Sequence, residues 1–246
     1  MAHPKTAMVL AAGMATRMRP VSQMQPKALI EVAGKALIDH ALDRLADVGV
    51  ERTVVNTNYL GDQIERHLAG RTRPAICISR EDPILDTGGG IAHALPLLGP
   101  DPFYVVNAKI VWRGGQGEAL SRLAAVWDGA SMDGLLLVQP TVGAVGYEGP
   151  GDLNMDQFGR IRFREPQEVA PFVYASIQIL HPRLFAAAPE GPFALRPLWE
   201  RAAAAGRLFG LRHDGEWYHV ATPHGLAEAE ARLGPSAAGR ARNGVA

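Results

Sequence analysis

Leu10-Ala11-Ala12-Gly13-Met14-Ala15-Thr16-Arg17-Met18-Arg19-Pro20 sets small residues and an arginine directly after the apolar run Ala7-Met8-Val9-Leu10. Small residues let a backbone approach a ligand closely, and N–H groups at the start of a following helix or turn can cradle phosphate oxygens. Arg17 adds a planar, permanently charged fork that matches phosphate geometry. Pro26-Lys27-Ala28-Leu29 supplies a lysine held by a preceding proline. A loop, an arginine and a fixed lysine form an anion clamp suited to a triphosphate. Taken alone, the same residues also read as a tight turn with surface cations. Neither G-x-x-x-x-G-K-[ST] nor G-x-G-x-x-G occurs in the chain.

Two other spacings carry less. Asp152-x-Asn154-x-Asp156 begins like a calcium loop, but its sixth position is Gln157 and its twelfth is Phe163, where glycine and glutamate are needed. Cys77 lies in the apolar run Ala75-Ile76-Cys77-Ile78 and reads as a buried strand residue. A single cysteine excludes a disulfide within the chain and a cysteine-rich zinc site.

The elements that must position the clamp follow from periodicity. Ala7–Leu10 is a buried strand meeting the loop. Leu37, Ile38, Ala41, Leu42, Leu45 and Val48 mark one face of a helix over 35–48 that Gly49 closes. Strands are predicted at 53–56, 75–79, 103–106 and 135–138, with helices at 62–68, from Gly88 to about 95, and at 117–127. Such alternation predicts an α/β fold: a Rossmann-like, mainly parallel sheet with helices on both faces. After Pro140 the composition turns to Gly, Pro and charge, with extended pieces at 161–163, 172–180 and 208–212 and helices at 197–205 and 223–233. Residues 141–166 read as a small β-rich insertion. The division expected is one domain over 1–246. Its first part covers about 5–140, a second part 141–233, and a flexible tail 234–246.

The 246 residues hold 25 Lys+Arg against 25 Asp+Glu, so no global basic field points to nucleic acid or a membrane surface. No apolar run approaches the roughly 20 residues that span a bilayer. The chain is expected to be a soluble, cytoplasmic protein with no nucleic-acid or membrane partner; self-association stays open.

Beyond the single residues, the string from Leu10 to Lys27 resembles the signature of the sugar-phosphate nucleotidyltransferases (NDP-sugar pyrophosphorylases), L-A-A-G-x-G-T-R-x-x-P…P-K. It matches at Leu10, Ala11, Ala12, Gly13, Thr16, Arg17, Pro20, Pro26 and Lys27, and departs at Ala15, where the family has glycine. Val32-Ala33-Gly34-Lys35 with Leu37-Ile38 is similar to the family's helix after the lysine. Asp86-Thr87-Gly88-Gly89-Gly90 is similar to its base-contacting segment, and Trp217-Tyr218-His219-Val220-Ala221-Thr222-Pro223 to its closing W-x-D-V-G-T-P. The resemblance covers about residues 5–233. It is nearest to the short bacterial members, among them uridylyltransferases of N-acetylmuramate 1-phosphate and guanylyltransferase-like enzymes of mannose 1-phosphate.

The resemblance implies an NDP-sugar transferase fold and a transfer between a nucleoside triphosphate, UTP first, and a sugar 1-phosphate, with Arg17 and Lys27 as the catalytic cations. It implies nucleotide contacts at Leu10, Ala11, Ala12, Gly13, Ala15, Thr16, Arg17, Lys27, Glu81, Gly88 and Gly89. It implies sugar contacts at Asn107, Gly151, Asp152, Glu165 and Ser176, the last standing where glycine is usual. It also implies Mg²⁺ held by two carboxylates, and here Lys109 and His219 occupy those two positions. A protonated ammonium has no lone pair for a metal. His219 can ligate a metal, bond to a metal-bound water, or pack as an ordinary histidine. Two readings therefore stand: a working nucleotidyltransferase, or a catalytically impaired nucleotide or NDP-sugar binding protein derived from one.

Overall fold

The computed structural model describes residues 3–234, so the tail expected from Gly234 lies almost wholly outside the described residues. Strand β1 (Thr6–Leu10) turns Ala7 and Val9 to one face and Met8 to the other, and all three are fully buried, as alternation along a strand requires. The hairpin β2 (Glu31–Val32) and β3 (Lys35–Ala36) comes next. It turns through Ala33 and Gly34 at φ 53° and 74°, two successive positive angles that suit a tight hairpin turn. Helix α1 (Leu37–Asp47) therefore begins at Leu37 and not at 35.

The chain continues through β4 (Arg52–Thr57), α2 (Gly61–Leu68), β5 (Ala75–Arg80), α3 (Asp86–Leu98) and β6 (Phe103–Asn107). β7 (Ile110–Arg113), α4 (Ala119–Val126), β8 (Gly134–Pro140) and β9 (Ala144–Val145) come next. Then follow β10 (Leu153–Met155), β11 (Ile161–Phe163), β12 (Phe172–Leu180) and α5 (Arg196–Ala204). β13 (Leu208–Arg212), β14 (Glu216–His219) and α6 (Pro223–Leu233) end the described chain.

Among the described residues, nine strands form one mixed, mostly parallel sheet in the order β11-β10-β12-β6-β1-β4-β5, with β8 beside β12 and β13 beside β8. β1 pairs in parallel with β4 and β6, and β12 runs antiparallel to both β6 and β8. Helices cover both faces, as expected. Ile38 and Leu42 of α1, Ile64 of α2 and Leu120 of α4 pack with Val9, Val55 and Val106. On the other face Ile91 of α3 and Leu198 and Trp199 of α5 pack with Met8, Val54 and Val105.

Periodicity did not predict the small sheet β7-β14-β9, in which Tyr218 stands opposite Val111 and His219 opposite Ile110. Trp217 fixes it to the large sheet by donating its indole N–H to the Ala175 carbonyl at 2.8 Å. A third core of Met18, Ile30, Val32, Leu37, Val111, Tyr218 and Leu233 joins this sheet to the segment that carries Lys27.

Both positions at which the resemblance implies glycine, Ala15 and Ser176, adopt left-handed backbone. Ala15 has φ 49° and ψ 44°, and Ser176 has φ 64° at the irregularity where β12 shifts register between Tyr174 and Gln178. A side chain in that conformation costs roughly 1 kcal/mol. Ala15→Gly is therefore expected to raise unfolding free energy by about 1 kcal/mol, read as a higher urea midpoint with an unchanged denaturant slope.

Candidate functional site

The C-terminal ends of parallel strands are where α/β sheets gather ligands. Here the ends of β1, β4 and β6 and the segment after β5 open on a cavity of about 260 Å³. Leu10, Ala11, Ala12, Gly13, Ala15 and Arg17 line it from the loop after β1, and Lys27 and Ala28 from the turn after Pro26. Asn56, Glu81, Ile84, Asp86 and Thr87 form a second wall, and Asn107, Ala108 and Lys109 a third. Space around Gly13 is open, with no atom within 4 Å of where a Cβ would stand. Among the described residues the N–H groups of Ala12, Gly13 and Met14 donate to no protein acceptor.

The loop is anchored from below. The N–H of Ala11 donates to Asn56 Oδ1 at 2.7 Å, and Asn56 Nδ2 donates to Glu81 Oε1 at 2.7 Å. Glu81 Oε2 then accepts the Leu85 N–H at 2.8 Å, just before α3. Glu81 thus lines the cavity with both carboxyl oxygens already bonded to the protein. Asn56→Ala would leave the Ala11 N–H and the Glu81 carboxyl each short of a partner in a buried place. An expected loss of about 3 kcal/mol in unfolding free energy follows, checked by urea titration. Asn56 stands one residue before the end of β4, and nothing in its sequence neighbourhood marked it for this role.

Three cations meet at the cavity. Burial, then Lys109, then Arg17 push the Lys27 ammonium down to about 7. Lys109 sits in the turn between β6 and β7. Its N–H bonds to Asn107 O, and its carbonyl accepts the Val220 N–H at 3.0 Å. Burial and Arg17 lower its pKa, and Asp152 pulls the other way. His219 stacks on Trp217, with ring centres 5.5 Å apart. Burial, Lys109, Lys27 and Arg17 lower its pKa to about 3, so at neutral pH it adds no fourth positive charge.

Several residues expected at the site lie elsewhere. Gly88 and Gly89 are buried and do not line the cavity; both their N–H groups donate to the Phe193 carbonyl, at 2.9 and 3.1 Å. Thr16 is exposed on a short turn outside the cavity lining. Asn107, expected on the sugar side, lines the same cavity as the phosphate loop. Asp152 and Glu165 line a neighbouring cavity of about 440 Å³ with Arg164 and Arg196. Gly151, at φ 81°, bonds the Tyr147 hydroxyl through its N–H and Arg164 through its carbonyl. Ser176 is buried in the bulge of β12.

A model of the MobA-like NTP transferase domain matches residues 7–131, the half that builds this cavity. The N-acetylmuramate alpha-1-phosphate uridylyltransferase of Caulobacter vibrioides is 48% identical over 94% of this chain and 97% of its own length. The chain belongs to the MobA-like NTP transferase family. A second uridylyltransferase of the same description, from Neisseria meningitidis serogroup B, is 33% identical over 93% of this chain and 98% of its own. The UDP-glucose pyrophosphorylase of Acinetobacter baumanii shares the fold, with a TM-score of 0.79 at 16% identity, covering 97% of each chain. As a member of this family the chain is a nucleotidyltransferase, and its resemblance to the sugar-phosphate enzymes holds along nearly its full length.

The residues present do not fit Mg²⁺. Among the described residues no group of three His, Cys, Asp or Glu could hold a metal ion. The position expected to carry a carboxylate carries the Lys109 ammonium, which repels a divalent cation at contact. No helix among the described residues is long and apolar enough to cross a membrane.

Proposed function

We propose that this chain transfers the uridylyl group of UTP to N-acetylmuramate 1-phosphate, acting as one catalytic domain. The observation that carries the reading is the cavity beside the β1 loop, lined by Arg17, Lys27 and Lys109, with free backbone N–H groups at Gly13. The full-length likeness to two N-acetylmuramate alpha-1-phosphate uridylyltransferases supports the choice of substrates.

The sugar phosphate's oxygen attacks the α-phosphorus, the α–β bridging bond breaks, and pyrophosphate leaves with the electron pair. Negative charge grows on the non-bridging and leaving oxygens, so preorganised donors lower the barrier. Lys27 and Arg17 supply charged donors, and the Ala12–Met14 backbone supplies neutral ones. Asp86 and Thr87, which line the cavity just before Gly88 and Gly89, are proposed for the base side. Asn107, Asp152 and Glu165, with Gly151 and Ser176 shaping the walls, are proposed for the sugar side.

Lys109 favours one further reading, a member that binds nucleotide while transferring it slowly. Both are tested by mixing the protein with UTP and N-acetylmuramate 1-phosphate and following UDP-sugar and pyrophosphate release. Formation of UDP-N-acetylmuramate supports the enzyme. UTP binding without product from any sugar 1-phosphate leaves the binding protein, and no nucleotide binding at all defeats both.

A further inference from the structure

We propose that Arg17, Lys27 and Lys109 form a three-cation clamp that neutralises the nucleotide's phosphates itself, so that metal-free nucleotide is the preferred ligand of this chain. The inference rests on the nucleotide site described above and deepens it.

The cluster is built and unpaired. All three residues line one cavity, and among the described residues none of their side chains makes an ion pair or a hydrogen bond. Elsewhere the chain pairs its cations readily: Lys35 and Arg71 meet Asp43, Arg80 meets Glu65, and Arg183 and Arg207 share Asp133. Three like charges facing one space repel each other and destabilise the empty fold, and a bound polyanion removes that cost. Lys27 feels the charge of Lys109 and of Arg17, and Lys109 that of Arg17, which places the three within electrostatic reach.

Two carboxylates share the cavity lining: Glu81, with both oxygens bonded to Asn56 and Leu85, and Asp86, which accepts the Thr87 N–H and pairs with none of the three cations. Asp152 is the one carboxylate felt by Lys109, and it faces the neighbouring cavity beside Arg164 and Arg196. His219 lies flat on Trp217 and sits among the three cations. A divalent ion brought to this place would meet an ammonium where it needs an oxygen. The ammonium offers three N–H donors to phosphate oxygens instead. Val220 fixes the Lys109 backbone through its carbonyl, so the side chain is carried on a braced turn.

Titration calorimetry with UTP, in EDTA and then in excess Mg²⁺, tests the clamp. The parent is expected to bind UTP in EDTA at least as tightly as in Mg²⁺. Inorganic pyrophosphate in EDTA is expected to raise its melting temperature. Lys109→Asp is expected to reverse the order, with metal-free UTP bound at least tenfold more weakly than Mg²⁺–UTP. Lys109→Gln, close in size and neutral, is expected to lose about tenfold in metal-free affinity and to gain no metal dependence. That variant keeps the question open to measurement if the aspartate does not fold. A parent that binds Mg²⁺–UTP tenfold more tightly than metal-free UTP overturns the clamp while leaving the nucleotide site standing. A Lys109→Gln variant with unchanged metal-free affinity overturns it as well. A parent that binds UTP under neither condition overturns the nucleotide site and the clamp together.

Discussion

Lys27→Ala is expected to weaken UTP binding by roughly 10- to 100-fold, because a hydrogen bond to a charged group is worth about 1.5–3 kcal/mol. The effect should sit toward the upper end. Lys27 is half-buried on a short turn that follows Pro26, so its charge acts where water screens it less than at the surface. Its pKa, held at about 7 by burial and by the neighbouring cations, adds a pH signature. An anion bound beside it stabilises the charged form, so the pKa rises in the complex. Below about 7 the group is protonated in both states and its contribution is fully present. As pH rises above 7 the free protein loses the proton while the complex keeps it. Affinity then falls by up to about tenfold per pH unit, until the pKa of the complex is passed. Calorimetry in buffers of different ionisation heat should register proton uptake in that window, and Lys27→Ala should abolish it. Unchanged affinity in the variant would remove Lys27 from the phosphate site.

Gly89→Val is expected to destabilise the whole fold by about 3 kcal/mol, a fall in melting temperature of roughly 6–12 °C. A Cβ at Gly89 would stand 2.6 Å from the Gly191 carbonyl oxygen, and one at Gly88 would run into the Phe193 ring. Backbone must therefore move, and with it the bonds from Gly88 and Gly89 to Phe193 O and from Phe193 N to Leu85 O. The resemblance in sequence implied a nucleotide contact at Gly88 and Gly89 instead. Gly88 and Gly89 are small because a loop more than 100 residues later packs on them, and Gly90 because the Glu81 and Asn56 side chains do. A variant that melts like the parent but no longer binds nucleotide would restore the base-contact reading.

What the sequence disclosed depended on how far each residue's reason for being there lies along the chain. The β1 loop, Arg17 and Pro26-Lys27 are local, and their spacing, read with the family resemblance, pointed to the cavity that they line. The large sheet was legible because each long strand carries its own apolar run. The small sheet β7-β14-β9 was not, since its strands are two to four residues long and pair across more than 70 positions. The Asn56–Glu81 relay was hidden for the same reason: each side chain is ordinary until β4 and β5 lie side by side in parallel. Ala15 and Ser176 read as departures from a glycine pattern. The structure supplies the cause, a left-handed backbone at both.

The pairing of β14 with β7 has a consequence for how the protein is made. Residues 110–113 leave the ribosome about 100 residues ahead of 216–219, yet Lys109 and Ile110 reach their final surroundings only when Val220 and His219 arrive beside them. Throughout that interval β7, the strand that follows Lys109, lacks its antiparallel neighbour, and the Ala175 carbonyl lacks the Trp217 N–H. The phosphate site is therefore among the last parts of the molecule to be assembled. A nascent chain can build most of its main sheet and still offer no finished clamp to the nucleotide pool of the cell.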